Sequence, residues 1–255
     1  CRGCQECSVL EEPVMLFQSP HDYMTCEDGA VLTTQSLDAV VYDVIVGGIF
    51  NAIDQLPVEC NITYCPQADV TGCILRLAGH DFMDYDPATG SGGSDGCIDL
   101  SHPDNSGLEA CLVSGTEFGF DLHTVYKLFC TQVSLADFLV IAAEAAMSFT
   151  RELYLAEFPE RGVMDFRSDF HFGRTTATSC PGSAQMLPHA EECSDVEKVF
   201  VNHLGLNWAE AAALMGVHSL GRAVPSNSGY DGWWSDPENS RRFNNNYYIA
   251  VLANG

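Results

Sequence analysis

The chain has 255 residues, 46% of them hydrophobic, which excludes a disordered segment and is enough to bury a core in one large domain or two packed lobes. A formal charge of −24 argues against nucleic acid and anionic membrane surfaces, and favours neutral or cationic partners or bound calcium. No apolar run reaches the ~20 residues of a bilayer span and no cleavable leader precedes Cys1, so a soluble chain without membrane insertion is expected.

Residues 1–35 mix Cys, Pro and polar residues without periodicity and read as a cysteine-rich N-terminal extension tied by disulfides. Cys1, Cys4 and Cys7 offer three thiolates to zinc, but no matching cluster supplies a fourth ligand, so bridging is the preferred reading. The twelve cysteines point to an oxidising compartment and hence to a secreted, extracellular protein, with a connectivity that spacing does not reveal. The sequon Asn61-Ile62-Thr63 agrees, marking Asn61 for glycosylation.

From Ser36 to Leu56, Leu37, Val40, Val41, Val44, Ile45, Ile49, Ile53 and Leu56 recur at three- and four-residue steps and predict a core-facing helix. A second helix is predicted from Val70 to Met83. The Gly/Ser/Asp/Pro stretch from Asp84 to Leu108 is too long for a plain connector. A buried helix then starts at Ser134, with Asp137 in the capping-box position, and an irregular segment follows it. Two further helices carry start signals at Ser194/Glu197 and Asn207/Glu210, with Gly205 and Gly221 at their stops. No strand alternation of useful length occurs, so the predicted class is mainly α.

Within "LRLAGHD", Arg76 and His80 stand four residues apart and share a helix face. A neutral imidazole beside a permanent cation suits moving a proton between the two oxygens of a peroxide while stabilising charge on the departing one. Taken alone, the pair reads first as an amphipathic helix with a satisfied core histidine. His218, in "ALMGVHSLGRA", lies among small and apolar residues that suit a neutral imidazole metal ligand.

These two stretches resemble the distal and proximal motifs of the plant, fungal and bacterial haem peroxidase superfamily. "HPDNSGL", "SLADFLVIAAEAA" and "NSGYDGWW" with "RFNNNYY" are similar to further family segments in the same order, nearest to the cytochrome c and ascorbate peroxidase branch. The resemblance covers roughly Ser36 to Leu252. It implies a two-lobed helical fold, with a distal lobe over about 36–150 and a proximal lobe over about 151–255, and haem b in the crevice between them. His218 would be the iron ligand, Asn105 would orient His80, and Trp234 would lie beneath the haem. Arg222 would reach a propionate, or else offset a helix dipole at the surface. In the secreted branches a distal calcium is held at positions matching Asp81, Gly93 and Asp95, although Cys97 replaces the serine ligand.

Three departures shape the expectation. Gly79 stands where the family has Trp or Phe, at a cost of about 1 kcal/mol in a helix, which points to a need for space. The chain stops at Gly255, before the family's proximal aspartate, so it is either a fragment or a peroxidase fold lacking part of its proximal support. Asn227 fills the position at which ascorbate users carry arginine, and the acidic balance would repel that anion, so the expected donor to hydrogen peroxide is a small or macromolecular reductant other than ascorbate. The resemblance thus implies a secreted haem peroxidase. The alternatives are a catalytically weak structural or adhesive module of an extracellular assembly, and a haem protein whose open pocket admits a substrate for oxygen transfer.

Overall fold

The computed structural model describes residues 20, 24–26, 39–113, 119–178, 180, 186–188 and 193–254. Cys1, Cys4 and Cys7, Leu37 and most of the predicted extension lie outside these residues. The mainly α expectation holds.

Helix α1 (Ala39–Asp54) buries Tyr42, Ile45, Ile49 and Ile53, a strict three/four-residue series that Leu56 continues just beyond its end. Val40 and Val44, expected in the core, are instead 60% and 51% exposed, because their positions turn away from that stripe. Helix α2 (Pro66–Phe82) begins four residues earlier than predicted, with proline in its first turn, where a missing N–H costs nothing. Val70, Ile74 and Leu77 face the core, leaving Cys73, Arg76, Gly79 and His80 on the opposite side.

After the short α3 (Leu122–Tyr126), helix α4 (Leu135–Leu155) packs against both α1 and α2. Ser134 caps it by accepting from the Asp137 amide at 3.1 Å. The buried Asp137 carboxylate also accepts from the Gly173 amide at 2.8 Å and pairs with Arg174 at 2.8 Å. Because α4 runs unbroken past residue 150, the expected lobe boundary falls inside a helix. Its last turns join the C-terminal half directly: the Phe243 amide donates to Thr150 O at 3.1 Å, and Arg151 donates to Phe243 O at 3.2 Å.

In the C-terminal half, α5 (Cys193–Val196) takes in the expected cap Ser194 and continues as a π-helical segment over Glu197–His203. Helix α6 (Trp208–Met215) has the predicted capping box, with the Asn207 side chain accepting from the Ala209 and Glu210 amides and Glu210 accepting from the Asn207 amide. Beyond it come β1 (Arg222–Ala223), α7 (Pro225–Ser228), β2 (Gly232–Trp233), paired antiparallel with β1, and α8 (Asn246–Asn254).

Four disulfides, Cys26–Cys130, Cys60–Cys65, Cys73–Cys111 and Cys97–Cys180, bear out the expectation of bridging for eight cysteines. The first ties the described end of the extension to the loop ahead of α4. Cys193 is exposed and has no partner among the described residues.

Candidate active site

The crevice face of α2 and the turn after α6 line one cavity of about 890 Å³. His80 and His218 both border it, and His218 is among the charges felt by His80. The two imidazoles that the sequence singled out therefore converge on one space, which is open rather than packed with side chains.

On the α2 side, His80 Nδ1 is 2.7 Å from Asn105 Oδ1. Asn105 is buried, and its Nδ2 donates to Asp99 O at 2.7 Å, which fixes the amide so that Oδ1 faces the ring. His80 Nδ1–H is thus the donor and Nε2 is left with its lone pair. Burial, reinforced by the Arg76 guanidinium, pushes the His80 pKa down to about 4 against the opposing effect of the Asn105 hydrogen bond, so the ring is neutral near pH 7. Arg76 donates to Ser106 O at 2.7 Å and to Asp104 O. Burial holds its pKa below the usual arginine range.

On the opposite side, His218 sits in the 3₁₀ turn Gly216–Ser219 that extends α6. Its Nδ1 donates to Met215 O at 3.0 Å, which leaves Nε2 free to ligate, and burial lowers its pKa. Trp234 stands edge-on to the His218 ring at 5.7 Å. Tyr247, which sequence reasoning missed, lies 5.4 Å from it.

A contact between glycines brings these two sides together. A Cβ on Gly72 would fall 2.7 Å from Gly221 Cα, so α2 and the chain leaving His218 touch backbone to backbone. Gly221, at φ +80, is also the predicted helix stop. The next residue ties the two sides a second time. The Arg222 guanidinium is held in a two-pronged ion pair with Asp69, at 2.6 and 2.8 Å, and also donates to Ile62 O and Thr63 O. It clamps the two sides together and also borders the cavity.

The calcium expectation also meets a different geometry. Both oxygens of the buried Asp81 accept amides, from Gly96 and Cys97 at 3.0 Å each; the Gly93 amide donates to Asp84 at 2.7 Å, and Asp95 accepts from Cys97. Each of these contacts uses one acceptor site of a carboxylate that has about four. No cluster of three or more His, Cys, Asp or Glu among the described residues is arranged to hold a metal. Burial raises the pKa of the Asp81 carboxyl well above the carboxylate range and that of Asp84 to about 6.

Gly79 borders the cavity, and a Cβ there would meet nothing nearer than Met83 Cε at 3.8 Å, consistent with an opened pocket. Glu144 also reaches the wall and accepts from the Tyr42 hydroxyl at 2.7 Å; no spacing signal marked it. Asn227 packs on Gly107, whose added Cβ would lie 2.2 Å from its Nδ2. Asn61 is exposed in the Cys60–Cys65 loop and accepts from the Thr63 amide and hydroxyl at 3.0 and 2.9 Å.

A helical fold with two imidazoles on one cavity, one oriented by an amide beside an arginine and the other with Nε2 left to ligate, fits the class of haem-pocket proteins. The peroxidase family model matches residues 58–254, and the chain belongs to that family, within the plant and fungal haem peroxidase superfamily. It is 29% identical over 184 residues to the probable L-ascorbate peroxidase 3, peroxisomal, of Oryza sativa subsp. japonica, covering 70% of this chain and 55% of that one. It is 30% identical over 198 residues to the mitochondrial cytochrome c peroxidase of Candida albicans, covering 76% and 48%. A protein of Pyricularia oryzae whose name describes a heme-binding peroxidase is 30% identical over 186 residues, covering 71% and 55%. The chain spans about half the length of these relatives.

Proposed function

We propose that this chain forms the haem pocket of a peroxidase that reduces hydrogen peroxide with electrons from an external donor. The supporting observation is the hydrogen-bonded series Asp99 O, Asn105, His80, which leaves a neutral Nε2 on the same cavity as His218. The residues present fit haem b. The cavity is of ligand size and bordered by apolar side chains such as Leu75, Ala78, Val140, Val217 and Leu220, and His218 keeps Nε2 available. Bound there, haem supplies the redox-active iron that His218 would ligate.

The remaining chemistry belongs to the chain. His80 Nε2 takes a proton from one peroxide oxygen and returns it to the other as the O–O bond breaks. Arg76, anchored on Ser106 and Asp104, stabilises the negative charge on the departing oxygen. Asn105 holds the His80 tautomer, and Trp234 lies beside His218 as an oxidisable ring. Titrating the chain with haem b while following the Soret band, then measuring peroxide consumption, tests this reading. Haem binding lost in His218→Ala, and turnover lost in His80→Ala with the Soret band retained, are the expected results. A chain that binds no haem, or binds it without consuming peroxide, overturns the proposal and leaves the structural or adhesive role.

The donor proposed is a neutral or cationic reductant rather than ascorbate. Asn227 at the cavity rim and the charge of −24 support this, while several relatives named as ascorbate peroxidases weigh against it. Turnover with ascorbate at the rate reached with a neutral phenol or an aromatic amine would refute it. Secretion is proposed on the four disulfides and the exposed Asn61, although some relatives' names are peroxisomal, cytosolic or mitochondrial. Mass spectrometry of the native protein should find bridged cysteines and a glycan on Asn61. Free thiols and a bare asparagine would contradict it.

A further inference from the structure

Between Asp137 and Arg151, helix α4 carries one charged residue, Glu144; every other position there is apolar or a small hydroxyl residue. Val140, Ala143, Glu144 and Met147, at three- and four-residue steps, form one stripe of the helix that borders the cavity, and Phe166 joins them from the segment beyond it. Glu144 thus stands as a lone carboxylate in an apolar panel, where a charge is costly unless a partner answers it. Its hydrogen bond comes from the Tyr42 hydroxyl, 2.7 Å from Oε2, and Tyr42 is itself fixed by burial and by the Phe170 ring 5.2 Å away. Oε1 accepts no hydrogen bond among the described residues.

Tyr42 is a neutral donor, kept protonated because burial, and then the Glu144 carboxylate, raise its pKa far above the ordinary tyrosine value. It takes one acceptor site of a carboxylate that has about four and leaves the charge unanswered. The Arg174 charge is felt at Glu144, but that guanidinium is committed to Asp137 and His171 O, at 2.8 and 2.7 Å. Burial accordingly holds the Glu144 carboxyl above its ordinary pKa, a shift that a cationic partner would reverse.

We propose that the α4 wall of the cavity is a recognition site for an organic ammonium ion, whose nitrogen donates to Glu144 Oε1 while its apolar body lies along Val140, Met147 and Phe166. Resting on the haem peroxidase reading above, the occupant is the reducing donor, an amine-bearing phenol, which narrows that donor from neutral or cationic to cationic. Two such phenols each lose one electron and the hydroxyl proton, and one hydrogen peroxide is reduced to two waters. A metal ion does not suit the same carboxylate: no group of three or more His, Cys, Asp or Glu among the described residues is arranged to hold one, and the neighbours of Glu144 along the wall are apolar.

Tyramine and tyrosol test it, because both are phenols of nearly the same shape and differ in an ammonium against a hydroxyl group. Without peroxide, calorimetric titration of the haem-loaded and the haem-free chain should show tyramine binding about tenfold more tightly than tyrosol. Glu144→Gln keeps an acceptor for Tyr42, removes the charge, and should bring the two affinities together. Asp231→Asn, which removes an exposed carboxylate elsewhere on the cavity wall, should leave the preference intact. No preference in the native chain, a preference that survives Glu144→Gln, an equal loss in Asp231→Asn, or a preference that haem abolishes overturns the proposal.

With peroxide added, KM for tyramine should rise about tenfold in Glu144→Gln while kcat, and both constants for tyrosol, stay in place. Should Glu144→Gln fail to fold, the Met147 methyl and Phe166 ring resonances of the native chain must shift with tyramine at concentrations at which tyrosol leaves them unmoved; equal responses refute the site. Because binding is measured without turnover, a chain that tells tyramine from tyrosol through Glu144 but consumes no peroxide sinks the enzymatic reading and leaves the ammonium site standing.

Discussion

Gly72 and Gly79 lie two turns apart on α2, and both border the crevice, yet alanine at each should have opposite consequences. Both substitutions gain about 1 kcal/mol of helix propensity, so the difference between the two variants isolates what the new methyl group meets. At Gly79 it meets only Met83 Cε at 3.8 Å, an ordinary contact. At Gly72 it would lie 2.7 Å from Gly221 Cα, about 1 Å inside a normal carbon–carbon separation, and main chain cannot rotate aside. Overpacking of this kind costs about 1–3 kcal/mol. For a chain of this size that corresponds to Gly72→Ala melting roughly 3–10 °C below Gly79→Ala. Parallel thermal scans followed by circular dichroism give the comparison directly. Haem titration should also show weaker retention in Gly72→Ala, because the wall bearing His218 is displaced. Equal melting temperatures would refute the idea that a main-chain contact sets the spacing of the two sides.

Three other outcomes are expected. Arg222→Met leaves Asp69 buried and unpaired and should destabilise the chain by about 3–5 kcal/mol in urea melts, with Asp69→Asn added on top recovering part of that loss. His80 has a folded pKa of about 4 against 6.5 when unfolded, so below about pH 6.5 the unfolded chain binds the extra proton. Stability should therefore fall as pH drops from 6.5 to 4, by about 3 kcal/mol more in the native chain than in His80→Gln, as read from denaturant midpoints across that window. Asn105→Ala frees the His80 ring to adopt the other tautomer and should lower the rate of peroxide consumption about 100-fold with haem binding retained.

Local patterns made much of this legible. The spacing of Arg76 and His80, the setting of His218 and the capping box at Asn207 and Glu210 depend on residues within a few positions of one another, and each occurs as expected. What the sequence concealed depends on distant partners. Nothing beside Arg222 announces Asp69, 153 residues away, and only in three dimensions do Gly72 and Gly221 become a pair. Val40 and Val44 were misplaced because valines surrounded by valines fit more than one helical stripe. In the acidic loop, the spacing of carboxylates likewise did not reveal that both Asp81 oxygens accept amides from Gly96 and Cys97.

One long helix carries a final implication. α4 packs on α1 and α2 while its last turn is bonded to Phe243, so a single rigid rod belongs to both walls of the cavity. Prising those walls apart would mean snapping that rod, at the expense of its buried turns. The spacing of the cavity is thereby set by the same helix on both sides, and the room inside it by the small residues that line it, Gly79 among them.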